Sequence, residues 1–352
     1  MQAPHKNLLI ITQKVDEDDD LLGSFVGWIG EFAKHFEHVH VITLGAGTPI
    51  LPSNVFVHSL GKEHGAGKII QTMRLVRYLW KYGRNCTAYF SHMSPIFAII
   101  AWPFARLRGA KNVLWYLHRS VTARLRLALF LSDTLVTASK ASLRIQSPKI
   151  IEVGHGIDIQ KFATQREWTS ATRIISVGRI SPIKNFETLL YAVQTLHAAR
   201  YTLHVTIVGR PVMPGDHAYF EKIKKIGGAE FVGFVPYSEI ANYYRDADIA
   251  VNLAPTGGID KVVLEAMASG CVVLVSNEAF RPYLGSYADE LIIDRNDPQA
   301  VADAILNIQN KTTEELKAIS RILVDCVRSE HALGATIKEI ALIIVSQEQH
   351  LI

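Results

Sequence analysis

Residues 256–268 read Thr-Gly-Gly-Ile-Asp-Lys-Val-Val-Leu-Glu-Ala-Met-Ala, a turn of small residues that leaves an apolar run at 248–253 and enters a helical pattern. The first amides of a helix lack intrahelical acceptors and carry partial positive charge, which suits phosphate oxygens. Glu265 lies one to two turns inside that helix, where a carboxylate can accept hydrogen bonds from a ribose diol. A diphosphate and a ribose held together describe a nucleotide-activated substrate. A second stretch, Ser176-Val177-Gly178-Arg179-Ile180-Ser181-Pro182-Ile183-Lys184-Asn185, sets two cations between a strand ending at Val177 and a helix beginning near Asn185. Arg179 and Lys184 thus stand just past the carboxyl end of a strand, where open α/β sheets bind ligands. Beside a helix start they neutralise a diphosphate. Alone, the pair would read as ordinary surface charge; together with 256–268 it reads as a phosphate site.

Weaker candidates stand in the first half. His118 ends the run Val113-Leu-Trp-Tyr-Leu-His, and Arg119 follows it. A lone histidine is more often a packing residue, but a strand end favours acceptor orientation or stabilisation of a leaving phosphate. Gly23 and Ser24, at the start of the first helix, leave room for a phosphate to approach closely. Asp18-Asp19-Asp20 superficially suggests a metal site, but acidic runs on loops are usually solvated, so no metal is expected.

Alternating apolar runs and amphipathic stretches must position these groups. Strands are predicted at 7–12, 38–43, 55–60, 87–92, 112–117, 134–137 and 149–153, with helices at 24–36, 68–82, 95–107 and 123–130. A glycine-punctuated bend, Gly154-His155-Gly156-Ile157-Asp158, and a polar linker at 159–171 interrupt the series. It restarts with strands at 173–177, 202–208, 230–232, 248–253, 272–275 and 290–293, and helices at 185–199, 218–226, 238–245, 260–268 and 298–309. The tail, 312–330 and 333–347, is helical in period. Strand–helix alternation with apolar strands predicts α/β architecture: two Rossmann-like domains, each a mostly parallel sheet covered on both faces, facing a central cleft. The expected boundaries are 1–157, 158–330 and a helix at 331–352 packing back on the first domain.

The 352 residues suffice for two domains, and an apolar fraction of 49% allows large buried cores and argues against disorder. The longest apolar window, 93–105, contains Pro95 and Pro103 and is shorter than the ~20 residues that span a bilayer. The first residues show no signal-peptide layout, and three cysteines without metal-like spacing read as reduced thiols, so a cytoplasmic setting is expected. The net charge of +4 hides an asymmetry: residues 62–149 hold 15 Lys/Arg against only Glu63 and Asp133. Such a segment is either a solvated face or one drawn to an anionic partner, a membrane surface or a phosphorylated acceptor. Nucleic acid is not expected, for no recognition motif is present. Neither first strand–helix turn contains G-x-G-x-x-G, which argues against a dinucleotide-dependent dehydrogenase.

The stretches SVGRISPIKNFETLLYA, IVGR, FVGFVPYSEIANYYRDADIAVNLAP and GGIDKVVLEAMASGCVVLVSN resemble consecutive signatures of the GT-B glycosyltransferases of family 4, the retaining nucleotide-sugar group. VGHGIDIQKF is similar to that family's interdomain bend. The resemblance covers about 150–295; the first half shares only the layout, through Gly23 and the WYLH run ending at His118. It implies that Arg179 and Lys184 bind the donor diphosphate and that Glu265 holds the ribose. It also implies that the backbone of Phe234, Val235 and Pro236, near Gly209 and Arg210, meets the base. Gly257, Gly258, Ile259, Asp260, Lys261 and Val262 would then meet sugar and phosphates. The family usually carries a second glutamate eight residues before Glu265, where this chain has Gly257; Asp260 or Lys261 would have to compensate.

The expected activity is transfer of a sugar, with retention and without a metal or other cofactor, from a UDP- or GDP-sugar to a hydroxyl acceptor. The basic 62–149 segment points to a lipid-linked or otherwise anionic acceptor in surface polysaccharide or glycolipid synthesis. The enzyme would then work in the cytoplasm, peripherally on the inner face of the membrane. Two other classes share features with this reading: a nucleotide-sugar epimerase of similar architecture, and a non-catalytic sugar-nucleotide-binding subunit, which the glycine at 257 makes conceivable.

Overall fold

The computed structural model describes residues 7–19, 22–164, 166–168 and 171–346. Asp20 of the acidic run, the first six residues and 347–352 of the tail lie outside them. The chain forms two compact units, residues 1–156 with 332–352, and residues 157–331.

The first unit contains, in chain order, β1 (Asn7–Val15), α1 (Gly23–Phe32), β2 (Val39–Ala46), β3 (Val55–Ser59), α2 (Lys68–Tyr82), β4 (Cys86–His92), α3 (Pro95–Leu107), β5 (Lys111–Trp115), α4 (Ala123–Leu131), β6 (Thr134–Thr137) and β7 (Ile150–Glu152). Among the described residues, its strands form one parallel sheet in the order β3-β2-β1-β4-β5-β6-β7. β1 lies inside the sheet between β2 and β4 and is buried on both faces, which is why Leu8-Leu9-Ile10-Ile11 runs without polar alternation. Leu8 and Ile10 pack with Phe25, Ile29 and Phe32 of α1, whereas Leu9 and Ile11 pack with Leu75 and Leu79 of α2 and Phe97 and Ala101 of α3. α4 joins the second layer through Leu125 and Ala128, next to Ala98 of α3 and Leu114 of β5.

The second unit runs α5 (Ile159–Phe162), β8 (Arg173–Val177), α6 (Phe186–Ala198), β9 (His204–Val208), α7 (Pro214–Ile226), β10 (Glu230–Gly233), α8 (Ile240–Arg245), β11 (Ile249–Asn252), α9 (Lys261–Ala268), β12 (Val272–Val275), α10 (Ala288–Leu291), α11 (Pro298–Gln309) and α12 (Thr313–Glu330). Its parallel sheet has the order β10-β9-β8-β11-β12. Strand order reverses between β8 and β11, so the loops leaving those two strands flank the point where such sheets take ligands. The chain then returns to the first unit as α13 (Leu333–Val345), whose Ile337, Ile340, Ala341 and Ile344 pack in the same core as α1.

Three expectations are corrected. The strand anticipated at 290–293 is instead α10 followed by one bridging residue, Ile292, opposite Val275. Tyr287 and Ala288 turn the chain helically before it reaches the edge of the sheet. α7 begins at Pro214 rather than 218, because proline is pre-shaped for a first helical position and Asp216 accepts from the amides of Val212 and Met213. β5 stops at Trp115, three residues short of His118. Its neighbour β6 is only four residues long, so the ladder ends with Trp115 opposite Val136.

Asp248, buried at the start of β11, ties this sheet together. It accepts from the backbone N–H (3.0 Å), Nε (3.0 Å) and Nη2 (2.7 Å) of Arg173, and Arg166 stands 3.6 Å away. Removing one member of a buried ion cluster leaves the others uncompensated and costs about 3–5 kcal/mol. Asp248→Ala should therefore lower the free energy of unfolding by that amount, read as a fall in the urea midpoint, and a midpoint within error of wild type would contradict the role.

Candidate active site

The loops leaving β8, β9 and β10 are stitched backbone to backbone. Gly178 N–H donates to Val208 (3.0 Å), Ile180 N–H to Arg210 (3.1 Å) and Gly209 N–H to Gly233 (2.8 Å). Gly209 has φ 144°, and a Cβ there would stand 1.9 Å from the Gly178 carbonyl oxygen, so only glycine permits this approach. Lys184 folds back along the same loop, its Cε 3.4 Å from where a Gly178 Cβ would be. Asn185 makes this reversal possible: at φ 51° it takes the left-handed conformation that asparagine tolerates, and α6 starts directly after it.

The two loop cations take different carboxylates, each at the start of a helix. Lys184 Nζ is 2.6 Å from Asp260 Oδ2, at the head of α9. Arg179 Nε is 3.6 Å from Asp216 Oδ2, in the first turn of α7. The expectation that both cations aim at one helix start therefore holds for Lys184, while Arg179 turns to the neighbouring helix. Because Asp260 reaches for Lys184, its side chain does not cap its own helix. The dipole of α9 is left uncapped there, which preserves its attraction for an anion.

Glu265 is 3% exposed, because α9 buries Val263, Leu264, Ala266 and Met267 around it. Its Oε1 lies 3.0 Å from Lys261 Nζ, one turn earlier. Lys261 also reaches the Tyr237 hydroxyl at 3.1 Å and lies 4.4 Å from that ring, and Lys161 lies 3.8 Å from the same ring. Tyr244 donates to the Val262 carbonyl at 3.0 Å, and Phe162 packs edge-on against both tyrosines. Burial first, and the Glu265 charge second, hold both phenols well above their usual range. Burial pulls the Lys261 ammonium below its usual range, and Glu265 opposes it. The result is a carboxylate in an apolar setting with one cation and two protonated phenols beside it, able to accept hydrogen bonds from hydroxyls.

The turn before α9 is clamped by buried Asn277. Its Oδ1 accepts from Gly257 N–H (3.1 Å) and Ala279 N–H (3.0 Å), and its Nδ2 donates to the Gly258 carbonyl (2.8 Å). The Gly257 amide is thus committed to a side chain rather than aimed at a ligand. Ile259 is buried in the core, and Val262 is half-buried at the start of α9. Phe234, Val235 and Pro236 form a half-buried loop after β10, with the Arg210 guanidinium 4.9 Å from the Phe234 ring. Sequence reasoning missed Tyr237, Lys161, Asn277 and Asp216. Asn277 was recoverable, since it follows β12 at the ligand edge of the sheet; Asp216 was recoverable from the proline two residues before it.

In the first unit, Gly23 opens α1 with its amide bonded to the Asp19 carbonyl at 3.1 Å. Of the acidic run, Asp19 pairs with Lys14 at 3.1 Å, a lysine that Asp16 shares at 3.0 Å. Among the described residues no cluster of three His, Cys, Asp or Glu side chains is arranged to hold a metal. His118 is exposed, and its Nδ1 accepts from Ser120 N–H at 3.1 Å. In the neutral ring that bond places the proton on Nε2.

Residues 171–311 match the family described as Glycosyl transferases group 1. The chain is 29% identical over 146 residues to the D-inositol 3-phosphate glycosyltransferase of Corynebacterium glutamicum, covering 39% of this chain and 35% of the relative. It is 29% identical over 178 residues to the same enzyme of Geodermatophilus obscurus, covering 45% and 39%. The chain thus spans little more than a third of the length of these curated relatives. Among solved structures, HepE of Anabaena in complex with UDP and glucose superposes with TM-score 0.73 at 14% identity, covering 96% of this chain and 99% of that one. Sucrose-phosphate synthase of Thermosynechococcus elongatus superposes at 0.74 and 16%, covering 96% and 98%. At such identity these superpositions speak for the fold. The geometry of the loop itself is open to test. In Gly209→Ala the clash with the Gly178 carbonyl must be relieved by strain of about 1–3 kcal/mol. The thermal midpoint should fall accordingly, with the far-ultraviolet circular dichroism unchanged; an unshifted midpoint would show that the loops are not held by this contact.

Proposed function

We propose that the chain, whose residues 171–311 match the Glycosyl transferases group 1 family and whose fold is GT-B, is a retaining, family 4 glycosyltransferase acting on a nucleotide-sugar donor. The observation that carries the reading is the grouping at the β8/β11 switch point: Lys184 on Asp260 at the uncapped head of α9, with Glu265 one turn farther in. An incoming diphosphate competes with Asp260 for Lys184 and with Asp216 for Arg179. It gains two charge-assisted contacts and the positive end of α9. Ribose hydroxyls donate to Glu265, whose position Lys261 and Tyr237 fix. The base lies against the loop 234–236, beside Gly209 and Arg210.

In the proposed reaction the bond from the anomeric carbon to the diphosphate oxygen breaks, the acceptor oxygen bonds to that carbon on the same face, and the acceptor proton passes to the departing diphosphate. Catalysis rests on stabilising that diphosphate by groups already in place, Arg179, Lys184 and the α9 amides. These supply the positive charge that a metal would otherwise bring, so metal independence is part of the proposal. His118 Nε2 is assigned to orienting the acceptor hydroxyl. UDP found with the Anabaena protein makes a UDP-sugar the first donor to try, with GDP-sugars next. The acceptor is proposed to be lipid-linked, in surface polysaccharide or glycolipid synthesis, with the protein cytoplasmic and peripheral on the membrane.

A thermal-shift screen against UDP, GDP, ADP and their sugars tests donor binding; a ligand at 100 times its Kd adds about 2.7 kcal/mol to stability. Glu265→Ala should abolish the shift given by the preferred donor, and an unchanged shift would remove Glu265 from the site. Arg179→Ala should lower turnover by roughly two to four orders of magnitude. Near wild-type turnover would end that assignment. Donor binding without transfer to any acceptor would point instead to a non-catalytic subunit.

A further inference from the structure

We propose that the outer face of the α2–α3–α4 layer docks the first unit onto an anionic lipid bilayer. The proposal deepens the reading above by naming the surface where a lipid-linked acceptor is met, and rests on that reading only for this purpose. The geometry belongs to the first unit alone.

α2 carries two apolar stripes where a helix covering a sheet needs one. Leu75 and Leu79 enter the core. Ile69, Met73, Val76 and Trp80 follow one another at i, i+4, i+7 and i+11, forming a second stripe on another side of the helix. That stripe is exposed, from 78% at Ile69 to 42% at Val76. With Arg77 on its flank and Phe104 across from it on α3, it borders a groove of about 510 Å³. Leu107 at the end of α3 and Phe130 on α4, 77% exposed, carry the apolar surface onward. Large apolar side chains exposed in this number on one helical layer mark an interaction site.

Charge selects the partner. None of the three helices contains a single Asp or Glu, and together they carry Lys68, Arg74, Arg77, Lys81, Arg106, Arg124 and Arg126. Arg108, just past α3, donates to the carbonyls of Leu79 and Trp80 and to the Tyr89 hydroxyl, each at 2.7 Å, and lies 5.3 Å from the Trp80 ring. It therefore holds that indole at the outer surface. A second copy of the chain laid on this face would set like charges together. Anionic headgroups match the cations, while Trp, Phe, Met and Ile side chains enter the headgroup boundary between them. Among the described residues no helix is long and apolar enough to cross a membrane, so the contact proposed is peripheral.

The test is co-sedimentation of the full chain with phosphatidylcholine vesicles, with and without phosphatidylglycerol, at low and raised salt. Each basic residue near an anionic surface is worth about a fivefold change in partitioning. Wild type should bind the anionic vesicles at least about tenfold more tightly than neutral ones, lose binding as salt rises, and show a blue shift in tryptophan emission on binding. Arg77→Glu with Arg126→Glu, and separately Met73→Glu with Phe130→Glu, should each lower binding at least about tenfold. Both pairs should keep the thermal midpoint and the nucleotide-induced shift, so loss of docking is distinguished from loss of donor binding. Equal partitioning onto both vesicle types, no binding to either, or wild-type binding by both double variants would overturn the proposal. So would a dimer, or a complex with an acidic protein, that the Met73/Phe130 variant dissolves while vesicles are ignored.

Discussion

A carboxylate surrounded by the core of a domain is tolerated only where a cation is built in beside it, and the second unit is organised around one such case. Glu265 lies on a helix whose other side chains are locked into the core, so it cannot swing out to water. Lys261, one turn earlier, answers its charge and is itself steadied by Tyr237. That arrangement fixes the rotation of α9. The rotation of α9 sets where Asp260 stands, and Asp260 sets where Lys184 rests. Asn277 then holds the turn that delivers the chain into the helix. Each contact is modest alone, but each has its geometry imposed by the one before, which is how preorganisation arises without a ligand present.

The two units handle charge in opposite ways. In the second, Arg173 lies on Asp248, Arg179 near Asp216, Lys184 on Asp260 and Lys261 on Glu265, so positive charge is matched locally by acids near strand ends and helix starts. An anion binding there exchanges one partner for another, and the exchange is selective because a carboxylate must be displaced. In the helical layer of the first unit no acid is present to be displaced. Its field therefore extends outward and attracts over a Debye length rather than at contact distance.

Much of this was legible before coordinates. Strands buried on both faces leave unbroken apolar runs, so β4, β8 and β12 were placed within a residue of their observed ends. The family signatures fell in the second unit because its loops are constrained by close backbone approaches, as at Gly178 and Gly209, that few sequences satisfy. What was not legible depends on distance along the chain. Lys161, Tyr237 and Lys261 meet through folding alone, and no local period connects residues so far apart. The orientation of Arg179 was equally hidden, since its partner Asp216 stands on a different helix, 37 residues farther along the chain. The short apolar tail of α10 read as a strand because three residues cannot distinguish the two periods.

One consequence of the chain path concerns synthesis. α13 supplies Ile337, Ile340, Ala341 and Ile344 to the core that α1 begins near the opposite end of the sequence. As the polypeptide emerges from the ribosome, the first unit has its sheet long before it has that helix, and Phe25, Ile29 and Phe32 lack their cover meanwhile. The second unit, contiguous from 157 to 331, needs nothing that emerges later. The amino-terminal half is therefore translated first but finished last, and its uncovered apolar face is where a chaperone would find the nascent chain.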